Sequence, residues 1–219
     1  MIQISSADIE HIAVRDYCYE EWRGRTSALD ILKAADPQWV VDLGANVGIW
    51  GDLCRDLLPS LKRYTAIEPD AENFTILSSN FPTADLIDAA IFYGAGDTVN
   101  VQGCGDGNRG GYMVKGIAVE DGVTYGPVVS DYPGKQFRCM TLEAALQDQV
   151  PDAIKLDCEA SEYNIIQHSP LLKKIPLLLV EFHNHTIEYV ESFISQHLPD
   201  HTILDVVGSY PWFNVTLRS

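Results

Sequence analysis

The sequence predicts an α/β fold built on a mainly parallel sheet, with one antiparallel strand at or near its edge. Three observations carry that prediction. Short apolar runs alternate with amphipathic stretches of helix length, the pattern of βαβ units. The runs around Val41, Ala153 and Leu179 are apolar on both faces, as strands covered by helices on each side must be. The chain closes on two β-rich runs joined only by Gly-Ser-Tyr-Pro-Trp. That link is too short for a parallel crossover of a dozen or more residues, so the pair is antiparallel.

Residues 1–35 read as an amphipathic helical cap leaning on the sheet, ahead of a single domain over 36–219. Trp39–Leu43 is the first strand, an unbroken apolar run ending in a glycine turn, and Ile49–Leu58 continues as an amphipathic helix. The next unit repeats the pattern with a strand at Arg63–Ile67 and a helix at Ala71–Asn80, and Ala84–Ile91 forms the third strand. Residues 94–138 are glycine-rich without a helical period. They suit a hairpin around "DTVNVQG" and a loop "GCGDGNRGGYM", an insertion of the kind that shapes substrate sites. Period then returns with a helix at Leu142–Gln149, a strand at Ala153–Leu156 and a helix at Glu162–His168. A strand at Leu177–Phe182 and a helix at Ile187–Leu198 lead to the closing pair, Thr202–Val207 and Phe213–Leu217.

Composition narrows the function. A length of 219 residues with 46% apolar and 21% charged side chains fits one soluble domain. No apolar run approaches the roughly 18 residues of a membrane span, and the N-terminus lacks the pattern of a secretory signal. Five cysteines without a CxxC pair read as free thiols in a reducing compartment, which points to the cytoplasm. The net charge of −16 repels phosphate backbones, so nucleic acid is not the expected partner. A small molecule is. Oligomeric state has no signature in the sequence.

The stretch "VVDLGANVGIW" ends a buried strand in Gly44 and opens a helix just past Gly48. Such a turn leaves the first helical N–H groups seeking acceptors, which favours a carboxylate-bearing or anionic ligand. Gly44 lets the backbone turn sharply, Gly48 permits close helix packing, and Asp42 is placed to reach the turn's amides or a cationic ligand group. In "YTAIEPD", Glu68 ends the second strand, roughly 20 residues on, where an acid suits the two hydroxyls of a ribose. A dinucleotide fold wants G-x-G-x-x-G; here Asn46 holds the middle glycine's place. A nucleoside without pyrophosphate fits better, and S-adenosylmethionine supplies adenosine, carboxylate and ammonium together. A nicotinamide-dependent oxidoreductase and a binding or assembly subunit without turnover are the competing readings.

Further along, Lys155, Asp157 and Glu159 alternate in "IKLDCEASE", which puts them on one face of an extended strand. Asp157 is the first candidate for a general base toward an acceptor hydroxyl, with Glu159 and Glu181 supporting it and Lys155 orienting or charge-pairing. Asp157, Glu159, Glu181 and His183 also offer oxygen and imidazole ligands for a divalent metal. In "EFHNHT", Asn184 or Thr186 reads as a helix cap, with His183 and His185 exposed. His183 and Arg109, the positive charge of the glycine-rich loop, are candidates for substrate contact.

Taken together, "VVDLGANVG", "AIEPD" with Asn73, "DAAI", "TLEAAL", "IKLDCEASE" and "LLLVEFH" resemble the FkbM family of S-adenosylmethionine-dependent methyltransferases. The matching pieces run in the family's order from about residue 39 to 183. The resemblance implies a three-layer Rossmann-like methyltransferase fold, with a seven-stranded, mostly parallel sheet and a reversed last strand. It implies O-methylation of a small-molecule acceptor of sugar or polyketide type, and a cofactor site from Asp42, Gly44, Ala45, Asn46, Gly48, Glu68, Pro69, Asn73, Asp88 and Ala89. One departure stands out: the family reads K-I-D-V-E-G-x-E, whereas Ala160 occupies the glycine position here.

Overall fold

A computed structural model describes residues 26–94, 96–103, 112–114, 135–159, 161–209 and 212–219. Arg109, Ala160 and most of the N-terminal cap region lie outside them. The first described helix, α1 (Thr26–Ala35), buries Ala28 and Leu32. Then come β1 (Trp39–Leu43), α2 (Ile49–Leu57), β2 (Arg63–Ile67), α3 (Ala71–Asn80) and β3 (Asp85–Ile87). A second group follows: β4 (Ala90–Ile91), β5 (Thr98–Gly103), β6 (Tyr112–Val114) and β7 (Lys135–Met140). The chain then returns through α4 (Leu142–Leu146), β8 (Ala153–Leu156), α5 (Glu162–His168), a 3-10 turn at Leu172–Lys174 and β9 (Leu177–His183). Helix α6 (Ile187–His197) leads to β10 (Thr202–Ser209) and β11 (Trp212–Arg218).

Seven strands form the main sheet in the order β10-β11-β9-β8-β1-β2-β3. β11 pairs antiparallel with both neighbours, and the other described pairings of this sheet are parallel. The reversed strand is therefore second from the edge, inserted between β9 and β10. Side-chain alternation divides the interior into two layers. Val41, Leu43, Ile154, Leu156, Leu178, Val180 and Phe182 face α5 and α6. Val40, Ala153, Leu177 and Leu179 face α1 and α2, together with Trp50 and Tyr64. Among the described residues no helix is long and apolar enough to cross a membrane. Cys54, Cys139 and Cys158 are free thiols.

Three elements depart from the sequence reading. The single strand expected over Ala84–Ile91 is two: β3 completes the main sheet, and the chain leaves it at Asp88 and Ala89 so that β4 can pair with β7. β7 went unrecognised because its alternation sits at the end of the glycine-rich stretch. It is the hub of a four-stranded sheet, β4-β7-β5-β6. The helix expected over Leu142–Gln149 stops at Leu146, where Gln147 and Asp148 take left-handed φ values of 53° and 58°.

Gly44 shows why the first turn needs glycine. Its φ is +75°, and a Cβ there would lie 1.9 Å from the Asp157 carbonyl oxygen. The end of β8, rather than a ligand, claims that space. Gly48, the N-terminal cap of α2, packs under Phe81 and Leu77 of the α3 end. Gly44→Ala is therefore expected to lower stability by about 3 kcal/mol or more, the scale of backbone strain combined with an overpacked contact. Gly94→Ala, with φ +89° but nothing within 4 Å of its Cβ, should cost only about 1–2 kcal/mol. Urea unfolding of the two variants checks the contrast.

Candidate active site

After β1 the chain builds β2 and β3 on one side, then crosses to β8 and β9 on the other. The β1–β8 boundary is thus the topological switch point, where open α/β sheets hold their ligands beyond the strand C-termini. The turn from Leu43 to Gly48 lies there. Its amides are spent internally: Gly44 and Ala45 donate to the Ile67 carbonyl at 3.0 and 3.1 Å, and Gly48 donates to the Ala45 carbonyl. Asn46 N–H donates to Glu68 Oε2 at 2.8 Å, and Val47 N–H to Asn46 Oδ1 at 2.7 Å. The outward row of donors expected from sequence gives way to a self-satisfied turn, rigid and anchored on β2.

Below that turn, Asp42 and Lys155 occupy paired register positions of β1 and β8 and point to the same layer. Asp42 is fully buried. Its Oδ2 accepts the Tyr64 hydroxyl at 2.7 Å, and its Oδ1 accepts Lys155 Nζ at 3.0 Å. Lys155 Nζ also donates to the Gly44 carbonyl at 2.9 Å and lies 3.4 Å from Asp157 Oδ2. Burial alone would lower the Lys155 pKa, but Asp42 and Asp157 outweigh it and hold the ammonium charged. Asp42 therefore faces inward on Tyr64 and Lys155, and those bonds draw its carboxylate away from the turn amides. Lys155 positions the turn and Asp157 together.

Glu68 sits at the end of β2, 6% exposed. Oε2 receives the Asn46 amide, while Oε1 receives the Asp70 amide at 3.0 Å and lies 3.5 Å from Asn73 Nδ2. Each carboxylate oxygen has two acceptor positions, so one on Oε2 remains for a ligand hydroxyl. Burial pushes its carboxyl up to about 7, against the lowering effect of the two amides. Pro69 follows, half-buried. Asp70 caps α3 by accepting the Glu72 and Asn73 amides. Glu68 N–H donates to the Ile87 carbonyl, which brings exposed Asp88 and buried Ala89 to the rim beyond β3.

A second acidic group gathers past β8 and β9. Glu181 and His183 continue the face of Leu179, and Asp157 continues that of Lys155. One ligand atom each from Asp157, Glu181 and His183 lie within 4.8 Å of one another. His183 Nε2 is 3.4 Å from Glu181 Oε1 and 3.6 Å from Glu159 Oε2, and its Nδ1 is 3.4 Å from Glu162 Oε1. Burial opposes the imidazolium, yet Glu162, Glu181 and Glu159 hold the His183 pKa well above its usual value. Desolvation carries the Glu159 carboxyl to about 8, with His183 pulling the other way. Glu159 leaves the strand, with φ 51°, so it does not extend the Lys155–Asp157 face as alternation predicted.

The histidines also depart from expectation. His183 is buried, and His185 stacks on Tyr189 at 4.0 Å between ring centroids. Thr186 caps α6 by accepting the Tyr189 amide. Glu162 opens α5. It is fully buried, and its Oε1 accepts the Cys158 amide at 2.7 Å. Three and four residues before Ile165 and Ile166, it shares their face of the helix, and that phase was the available signal.

The sequence over residues 42–201 matches the model of the methyltransferase FkbM domain. The chain belongs to the FkbM methyltransferase family. A search of curated proteins returns no match. Among solved structures, this FkbM domain is similar to the methyltransferase FkbM of Methylobacillus flagellatus KT, with TM-score 0.54 and 17% identity. That likeness covers 84% of this chain and 44% of the other, so the chain spans less than half of that protein's length. A protein assigned as the methyltransferase yhhF of Escherichia coli is similar at TM-score 0.50 and 12% identity, over 90% of this chain and 84% of that one. A Streptococcus mutans protein assigned as an S-adenosylmethionine-dependent methyltransferase gives TM-score 0.50 and 10% identity, over 90% and 48%. At such identities the likeness is one of fold.

The Glu68 shift carries a signed consequence. A carboxyl raised from about 4.5 unfolded to about 7 folded gives stability that is fully present below the lower value and lost as pH rises through the upper one. The unfolding free energy of wild type minus that of Glu68→Gln should therefore fall between about pH 4.5 and about pH 7 and be flat on either side. Urea titrations at a series of pH values measure it.

Proposed function

We propose that the chain is an S-adenosylmethionine-dependent methyltransferase acting on a hydroxyl of a small-molecule acceptor. The observation that carries this reading is Glu68. It stands at the end of β2, bonded to the amide of Asn46 in the glycine turn, beside the switch point of an FkbM-family sheet. The acceptor position left on its Oε2 suits a ribose hydroxyl, and Asn73 and Asp70 hold it in place. Gly44, Ala45, Asn46 and Gly48 provide a smooth, rigid floor under the nucleoside, with Pro69, Asp88 and Ala89 on the adenine side.

The sulfonium is already an activated donor, so catalysis is mainly alignment of the acceptor oxygen with the methyl group. Asp157, half-exposed and steadied by Lys155, receives the acceptor hydroxyl. Glu159, whose carboxyl lies near 8, takes the proton as the new C–O bond forms, close to the pKa at which a general base is most effective. Glu181 and His183 close that side of the site. The sulfur lone pair released from the broken S–C bond leaves S-adenosylhomocysteine.

Calorimetry with S-adenosylhomocysteine tests the cofactor half. Saturable binding with a dissociation constant in the micromolar range is expected, roughly −8 kcal/mol. Glu68→Ala should weaken it at least about tenfold, or 1.4 kcal/mol, and Asp157→Asn should leave it within about twofold. No binding at millimolar ligand, or saturable binding of NADH in its place, would overturn the assignment.

A further inference from the structure

Of the groups beyond the nucleoside crevice, the cluster past β8 and β9 departs furthest from ordinary packing. Carboxylates of Glu159, Glu162 and Glu181 converge on one imidazole, and Asp157, paired with Lys155, stands beside them. Glu162 is 0% and His183 2% exposed. Despite that burial, Glu162 Oε2 and His183 Nδ1 make no hydrogen bond among the described residues. Buried polar atoms are ordinarily satisfied, and buried charge of one sign is costly unless a counter-charge meets it. The His183 imidazole faces three of these carboxylates, Glu159, Glu162 and Glu181, at 3.4–3.6 Å.

We propose that Asp157, Glu181 and His183 form a binding site for one divalent cation of the Mg2+ or Mn2+ type. The ligand atoms lie within 4.8 Å of one another, the span that opposite ligands about 2.1–2.4 Å from a shared ion allow. The donor set, two carboxylates and an imidazole, is the chemistry of manganese and of other hard to intermediate cations. His183 is oriented for it. Nε2 turns toward Glu181 and Glu159, while Glu162 waits 3.4 Å from Nδ1. A carboxylate on the far nitrogen fixes the tautomer that presents a lone pair at Nε2, the usual support for a metal-bound histidine. Coordination exchanges the Nε2 proton for the ion and leaves Glu162 to accept from Nδ1–H. Glu159 stays outside the ligand set, available as an acceptor.

A cation here would bind the acceptor's hydroxyl oxygen and ease loss of its proton; that consequence rests on the transferase reading, whereas the binding site does not. The test uses the full chain stripped with EDTA and titrated with Mn2+ alone, followed by electron paramagnetic resonance without nucleoside. One ion per chain with a dissociation constant below about 100 µM is expected. Asp157→Asn and His183→Ala should each weaken it at least about tenfold, while Asp85→Asn, on β3 and paired with Arg63, should leave it unchanged. Circular dichroism confirms folding, and Glu181→Gln carries the same test should His183→Ala not fold. Absence of stoichiometric binding up to about 1 mM Mn2+, or binding that survives both cluster substitutions, overturns the site. S-adenosylhomocysteine binding in a protein that ignores Mn2+ would remove the cation site and leave the transferase reading standing; the reverse result would do the opposite.

Discussion

The ammonium of Lys155 is the contact on which the crevice depends. It is 4% exposed and meets oxygens from three directions: the Asp42 carboxylate on β1, the Gly44 carbonyl in the turn, and Asp157 past the end of β8. A buried ion pair seldom adds stability over well-packed apolar side chains, but removing one partner costs about 3–5 kcal/mol because the other charge is stranded. Its value here is geometric. The pair locks the two central strands in register at the level where the chain direction switches, and fixes the turn and the acid relative to each other. Tyr64 completes the inner shell by donating to Asp42.

From that lock the site divides into two halves of different character. On the β2 side, Glu68 and the turn satisfy one another through the Asn46 amide, and such pre-organisation would lower the cost of binding the nucleoside proposed for this half. On the β9 side, Glu159, Glu162 and Glu181 surround His183, and burial carries the Glu159 carboxyl up to about 8. Asp157 stands between the halves and belongs to both.

Much of this was legible in the sequence because strand parity is strict. Val40, Asp42, Ala153, Lys155, Leu179 and Glu181 alternate with the residues of the opposite layer, and the observed register preserves that division. The glycine turn and Glu68 announced themselves by spacing alone. What stayed hidden depends on contacts between distant segments. No local pattern says that Asp157 carbonyl occupies the space beside Gly44, or that the turn's amides spend themselves on Ile67 and Glu68. β7 was missed because its partners on β4 and β5 lie 49 and 34–40 residues away in the chain and only long-range pairing defines it. Glu162 shows in the sequence only as the first residue of a helix, and tertiary packing alone brings it to 3.4 Å from His183.

The lock is tested most directly by a double-mutant cycle on Asp42 and Lys155, read by urea unfolding. Lys155→Met alone strands Asp42 in the interior and should cost about 3–5 kcal/mol. Adding Asp42→Asn should recover part of that loss, giving a coupling energy of about 2 kcal/mol or more between the positions. Additivity within about 0.5 kcal/mol, with the double variant no more stable than Lys155→Met, would contradict the account.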